Sequence, residues 1–194
     1  MRIYWTLYWL VRISLSLYLN IRVEGVEHIP RTGPLIVIAN HRSAFDPPLV
    51  GALLPRAVHF MTKAELFNYP VLPWIFRHVQ AYPVHRGHPD RRAIRHSLEV
   101  INGGDAILMF PEGHRTETGE LQEARAGVVY LAQKTGAPLV PVGISGQYGF
   151  RRRISAKIGQ PFHIPPEMNK REAQVLVMDK IRELVQQDPS IRTG

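Results

Sequence analysis

Three apolar runs constrain this chain more than anything else in it: "LIVIAN" from Leu35, "DAILMF" from Asp105 and "APLVPVGIS" from Ala137. Each is too short for a buried helix, rich in branched side chains, and apolar at almost every position rather than at every second one. Strands of that kind have both faces covered, which is the situation of a parallel sheet. Between them lie segments with helical spacing. "SAFDPPLVGALL" carries prolines near its start and Ser43 or Asp46 as candidate caps. "PDRRAIRHSLEVINGG" is stopped by Gly103 and Gly104, "EARAGVVYLAQKTG" is stopped by Gly136, and "PEMNKREAQVLVMDKIRELVQQ" is a closing amphipathic helix.

Two shorter strands, "AVHFMTK" and "QAYPVHRG", flank "AELFNYPVLPWIFRHV", which is helical but interrupted at Pro70 and Pro73. "IRVEGVEHI" reads as extended, and "RISAKIGQPF" as an edge strand or hairpin. The alternation predicts a single α/β domain with a mostly parallel sheet flanked by helices. At 194 residues the chain holds one core, not two. Ligands of such sheets bind beyond the carboxyl ends of the strands. That rule groups His41, Arg86 and Glu112, provided their strands run parallel.

The first twenty-two residues have a different character. "MRIYWTLYWLVRISLSLYLNIR" is dense in Trp, Tyr and Leu but broken by Arg12, Ser14 and Ser16, which makes it a poor spanning helix. It also lacks a small-residue cleavage site. On a helical wheel Arg2, Thr6, Arg12, Ser16 and Asn20 share a narrow side, and Trp5, Leu7, Trp9, Leu10, Leu17 and Tyr18 fill the wide remainder. This predicts an amphipathic helix over residues 1–20 lying in the membrane interface, ahead of a domain over 21–194. The alternative is a helix packed on the domain or on a partner chain.

The absence of cysteine removes disulfides, thiol nucleophiles and thiolate metal sites together. The formal charge of +8 calls for an anionic partner, whether lipid, phosphorylated substrate or nucleic acid. No nucleic-acid motif is present, and the aromatic first helix suits lipid better than a duplex. His85, His88 and His96 have no spacing that matches a metal site. "RRR" at Arg151–Arg153 reads as a surface run, with phosphate or membrane contact as the second reading.

His41 and Asp46 stand in the turn that follows "LIVIA". A neutral imidazole can take a proton from an alcohol, and a carboxylate beside it fixes its tautomer. Five positions of separation let the two side chains meet, but they equally suit a surface histidine and a capping aspartate. Ser43 has no nucleophile elbow around it and is not taken as a nucleophile. In "FPEGHRTETG" a carboxylate, a glycine and an arginine leave the end of a buried strand together. Arg115 there suits a phosphate, and an exposed Glu–Arg turn is the competing reading.

In order, "NHRSAFD", "AYPVHRG", "FPEGHRTETG" and "APLVPVGISG" resemble the four blocks of the glycerolipid acyltransferases, most of all the 1-acylglycerol-3-phosphate O-acyltransferase group. The resemblance runs from about Val23 to Gly159 and implies direct acyl transfer to the free hydroxyl of lysophosphatidic acid, giving phosphatidic acid. In that scheme His41 is the general base and Asp46 orients it. Arg86, Glu112, Gly113 and Arg115 hold the acceptor phosphate, and Lys63 and Arg125 match further basic positions. Val140–Val142 match a block that shapes the acyl or acceptor site.

The resemblance implies no cofactor or metal, only acyl-CoA or acyl-carrier protein as co-substrate, and a monotopic enzyme on the cytoplasmic face of a membrane. His114, Thr116 and Ala124 depart from the usual residues of these blocks. His114 is open to two readings, a further donor to the phosphate or a neutral packing substitution. Related acceptors, including lyso-ornithine lipids, and water, as in a thioesterase, are the rival acyl acceptors. A basic binding module without catalysis is the rival of another class.

Overall fold

The computed structural model describes residues 2–85, 87, 90–116 and 121–187. In chain order the elements are α1 (Arg2–Tyr18), β1 (Asn20–Glu24), β2 (Leu35–Ala39), α2 (Asp46–Leu53), β3 (Val58–Lys63), α3 (Leu72–His78) and β4 (Ala81–Val84). They continue with α4 (Arg91–Asn102), β5 (Ala106–Met109), α5 (Ala126–Thr135), β6 (Leu139–Gly146), β7 (Arg153–Ile158) and α6 (Lys170–Gln186). Short 3-10 turns occupy Val26–His28 and Ala64–Asn68.

The strands form one seven-stranded sheet in the order β1-β7-β6-β2-β5-β3-β4. Strands β6, β2, β5, β3 and β4 are mutually parallel. β7 meets β6 antiparallel, and β1 lies parallel to β7 along the outer edge. The segment "RISAKIGQPF" therefore supplies the second strand of a hairpin with β6, and it is an inner strand, not an edge, because β1 covers its far side.

The apolar runs explain the layers. In β2, all five residues are buried. Leu35, Val37 and Ala39 join a core with Leu15 of α1 and Leu49 and Leu53 of α2. Ile36 and Ile38 point the other way, into a core with Ile101 of α4, Leu131 of α5 and Val177 of α6. Each such aliphatic side chain contributes about 1.5–3 kcal/mol when fully removed from water. A strand sandwiched this way has no solvent face and needs no alternation, which is why it is legible as a continuous run.

Helix α1 follows neither sequence reading entirely. Tyr4 and Leu15 are buried, so one face packs on the domain. Arg12 belongs to that packed side rather than to a solvated basic face. Its Nη1 donates to the Ala52 carbonyl at 2.8 Å and to the Tyr8 hydroxyl at 2.9 Å. Ala52 is in the last turn of α2, where a cation satisfies orphan carbonyls and complements the helix dipole. The opposite face of α1 presents Ile3, Trp9, Leu10, Ile13 and Leu17 to solvent. Among the described residues no helix is long and apolar enough to cross a membrane.

Candidate active site

Strand β2 stops pairing with β6 at Ala39, opposite Val142. The next residue extends the ladder with its side chain. Buried Asn40 accepts from the Ile144 amide at 2.7 Å and donates from Nδ2 to the Ile144 carbonyl at 2.9 Å. This amide zip fixes the residue after it, His41, at the carboxyl end of the central strand. The chain then turns, and α2 begins at Asp46.

Asp46 is fully buried and His41 nearly so, at 0% and 6% exposure. His41 Nδ1 lies 2.9 Å from Asp46 Oδ2. The same oxygen accepts the Arg42 and Ser43 amides, each at 2.6 Å, while Oδ1 accepts the Tyr148 hydroxyl at 2.5 Å. Arg42 is held in turn, its Nη1 donating to the Gly146 carbonyl at 3.0 Å. The aspartate thus reaches back into its own turn. Neither it nor Ser43 caps α2, whose amino terminus has no side-chain cap.

Every partner of this carboxylate is a donor, so Asp46 works purely as an acceptor and His41 carries its hydrogen on Nδ1. Nε2 bonds to no other described residue, and in the neutral imidazole it is the nitrogen that carries the lone pair. Burial first, and then the adjacent Asp46 charge, push the Tyr148 hydroxyl above the ordinary phenol range and keep it a donor.

The loop after β5 closes over this pair. The Phe110 ring stacks on the His41 imidazole at 4.2 Å between centroids, tilted 26°. The Thr116 amide donates to the His41 carbonyl at 3.0 Å. Glu112 takes a different position from the one expected of a substrate ligand. Its side chain is 1% exposed, with Oε1 accepting the His41 amide at 2.9 Å and Oε2 the Gln122 amide at 3.2 Å. With both oxygens turned inward onto backbone donors, Glu112 clamps the His41 turn to the loop and presents no oxygen to an acceptor. Desolvation raises its pKa, against the lowering effect of those two amides and of His41.

Gly113 is required twice. Its φ is 75°, and a Cβ there would lie 2.4 Å from Arg125 Nε. That Nε donates to the Glu112 carbonyl at 3.2 Å, and the Arg125 amide donates to the Pro111 carbonyl at 2.8 Å. The exposed Arg125 guanidinium reaches within 3.5 Å of His114 Nδ1. His114 is itself exposed, which argues against the packing reading of that residue.

The parallel order of β2, β5, β3 and β4 brings the carboxyl ends of these strands to one edge of the sheet. Three expected basic positions border that edge: Arg115 and Arg125 in the β5 loop region, and Lys63 as the last residue of β3. All three are exposed, and Lys63 pairs with Glu65 at 3.3 Å. Arg86 and His88 lie outside the described residues. His85 instead binds Asp90, and among the described residues no group of three ligands could hold a metal ion. Asn40, Phe110 and Tyr148 were not singled out from the sequence, although the first immediately precedes His41 and the second opens the "FPEG" block.

A protein-family model described as "Acyltransferase" matches residues 20–145. The chain is 29% identical over 159 residues to a 1-acyl-sn-glycerol-3-phosphate acyltransferase of Bacillus subtilis, covering 79% of each protein. It is 35% identical over 141 residues to a lyso-ornithine lipid O-acyltransferase of Pseudomonas aeruginosa, covering 72% of this chain but 53% of that one. The crystal structure of the 1-acyl-sn-glycerophosphate acyltransferase PlsC from Thermotoga maritima superposes with a TM-score of 0.80 at 24% identity. That superposition covers 98% of this chain and 80% of the other.

Proposed function

Because the chain belongs to the acyltransferase family, we propose that it transfers a fatty acyl group from acyl-CoA or acyl-carrier protein to the free hydroxyl of 1-acylglycerol-3-phosphate, giving phosphatidic acid. The observation that carries this reading is the His41–Asp46 contact at 2.9 Å, made through Nδ1, so that Nε2 is the nitrogen that takes the proton. His41 Nε2 removes the hydroxyl proton as the acceptor oxygen attacks the thioester carbonyl. The C–O bond forms, the tetrahedral intermediate collapses with cleavage of C–S, and the imidazolium returns its proton to the departing thiolate. Asp46 balances the imidazolium charge while it exists.

Binding of the phosphate sets the acceptor hydroxyl against Nε2, and such positioning supplies up to about 7–11 kcal/mol of the barrier in well-aligned systems. Arg115, Lys63 and Arg125 are exposed cations bordering the edge where His41 sits, and with Arg86 they are the residues assigned to the phosphate. Gly113 serves by admitting Arg125 close to the loop backbone. Glu112 serves as a clamp on the base. The outer apolar face of α1 lies in the membrane interface and keeps the enzyme beside its lipid substrate, as a monotopic protein on the cytoplasmic face.

A lyso-ornithine lipid acceptor is the second reading, favoured by the 35% identity to the Pseudomonas relative. Purified protein given a radiolabelled acyl-CoA and, in parallel, lysophosphatidic acid, lyso-ornithine lipid or no acceptor separates the two by product. Labelled phosphatidic acid supports the first reading. Labelled ornithine lipid alone replaces it with the second, and free fatty acid without acceptor identifies a thioesterase.

A further inference from the structure

The sequence "GQYGFRRRI" closes β6 onto β7 through the turn at residues 147–152. Backbone bonds shape that turn. The Arg152 amide donates to the Gly149 carbonyl at 3.0 Å, and Arg151 adopts a left-handed φ of 57°. The turn is also tied to the carboxyl end of α1. The Arg151 amide donates to the Tyr18 carbonyl at 2.7 Å, and the Asn20 amide donates to the Arg152 carbonyl at 3.0 Å.

On this turn stands Phe150, which is 74% exposed. Its ring lies 6.2 Å from that of Tyr18, and Tyr18 lies 6.3 Å from Phe45. Both neighbours are exposed, and Leu17 beside Tyr18 is 67% exposed. The apolar outer face of α1 therefore ends, at Leu17 and Tyr18, beside Phe150 of the turn. Exposed apolar side chains scattered singly need no explanation, but a connected strip of them does. Arg151, Arg152 and Arg153 are all exposed at its end, and Arg151 borders a cleft shared with Ser16, Asn20 and Ile21.

We propose that this turn is a second membrane contact, specific for anionic lipid, in which Phe150 enters the interface and Arg151–Arg153 take the lipid phosphates. The pairing of an aromatic wedge with a cation cluster fits an anionic bilayer surface, where each arginine adds to the attraction. An acidic protein partner would use the arginines but leave Phe150 and the strip along α1 unaccounted for. The contact also has a short path to the chemistry. Tyr148, in the same turn, binds Asp46, and Phe45 immediately precedes Asp46 and stacks on Tyr148 at 5.7 Å. Two contacts, α1 and the turn, orient the molecule where one would leave it free to roll.

This proposal rests on the membrane reading of α1, and vesicle co-sedimentation tests it without any turnover. Vesicles of phosphatidylcholine alone are compared with vesicles containing phosphatidylglycerol, for the wild type, Phe150→Ser and the pair Arg151→Asn/Arg152→Gln. Asn is chosen because it tolerates the left-handed backbone. The pair is expected to bind anionic vesicles about 30-fold less tightly, at roughly 1 kcal/mol per arginine, with binding to neutral vesicles unchanged. Phe150→Ser is expected to weaken both.

Both variants are expected to keep wild-type turnover on short-chain, water-soluble acyl-CoA and lysolipid, which also shows that they are folded. Wild-type vesicle binding by the pair overturns the proposal. So does a loss confined to acyl-carrier protein as donor, which would assign the arginines to a protein instead. A wild type that binds vesicles but transfers no acyl group refutes the enzymatic reading and leaves the binding result standing.

Discussion

The Tyr148 hydroxyl donates to Oδ1 of Asp46 at 2.5 Å, on the opposite side of the carboxylate from the oxygen that faces His41. It holds the carboxylate plane in place. Tyr148→Phe keeps the ring stacked on Phe45 and removes only this bond. A hydrogen bond to a charged group is worth about 1.5–3 kcal/mol, so kcat is expected to fall by about 10-fold or more with the KM for both substrates little changed. Steady-state kinetics check this. An unchanged kcat would mean that the amides of Arg42 and Ser43 are sufficient to hold Asp46.

Glu112 gives the clearest distinction between a clamp and a phosphate ligand. Glu112→Ala leaves the His41 and Gln122 amides without this acceptor, and the His41 bond is the buried one, its orphaned donor costing about 1–3 kcal/mol. Chemical denaturation is expected to show that loss. Kinetics are expected to show a fall in kcat with the acceptor KM nearly constant. A large rise in acceptor KM at unchanged stability would return Glu112 to the phosphate site.

Gly113→Ala forces a Cβ against Arg125 at a positive φ. The backbone part costs about 1–2 kcal/mol, and the clash adds to it. In a thermal-unfolding comparison, the double variant Gly113→Ala/Arg125→Ala is expected to recover the clash but not the backbone part. Full recovery would show that the conformation itself carries no strain.

Asp90 links the end of β4 to the start of α4. It accepts the His85 amide at 2.9 Å on one oxygen, and the Arg92 and Ala93 amides at 3.0 and 3.1 Å on the other. Those amides, that of His85 first, hold its carboxyl well below the usual carboxylate range. A depressed folded-state pKa gives stability that is present above the ordinary value of 3.8 and lost as pH falls through and below it. Asp90→Ala is therefore expected to cost about 1 kcal/mol at pH 7, the usual worth of such a cap. In urea titrations the difference is expected to shrink on going to about pH 3, the region set by the ordinary carboxylate pKa. A constant difference across that range would mean that the carboxylate charge contributes nothing.

The sheet was legible because strands such as Leu35–Ala39 are buried on both faces and leave an unbroken apolar run. The placing of β7 was not. Whether "RISAKIGQPF" lies inside or at the edge depends on β1, which comes more than a hundred residues earlier. The His41–Asp46 pair could be read from its spacing and from the blocks around it. The inward turn of Glu112 could not, because it depends on two backbone amides brought in by β2 and by the approach to α5. Arg12 misled for a related reason. A helical wheel records which side a residue is on, not that the carboxyl end of α2 waits there for a cation. Tyr148 was hidden because it is 102 residues from the aspartate it binds.

The proposed acyl transfer turns on His41 acting as the base, and one measurement bears on it directly. Thiol release from palmitoyl-CoA is followed with and without lysophosphatidic acid, for the wild type and for His41→Ala. Expected is release that requires lysophosphatidic acid in the wild type and falls by at least about 100-fold in His41→Ala, in line with the loss of a general base. Acceptor-dependent release at the wild-type rate in His41→Ala would contradict the assignment.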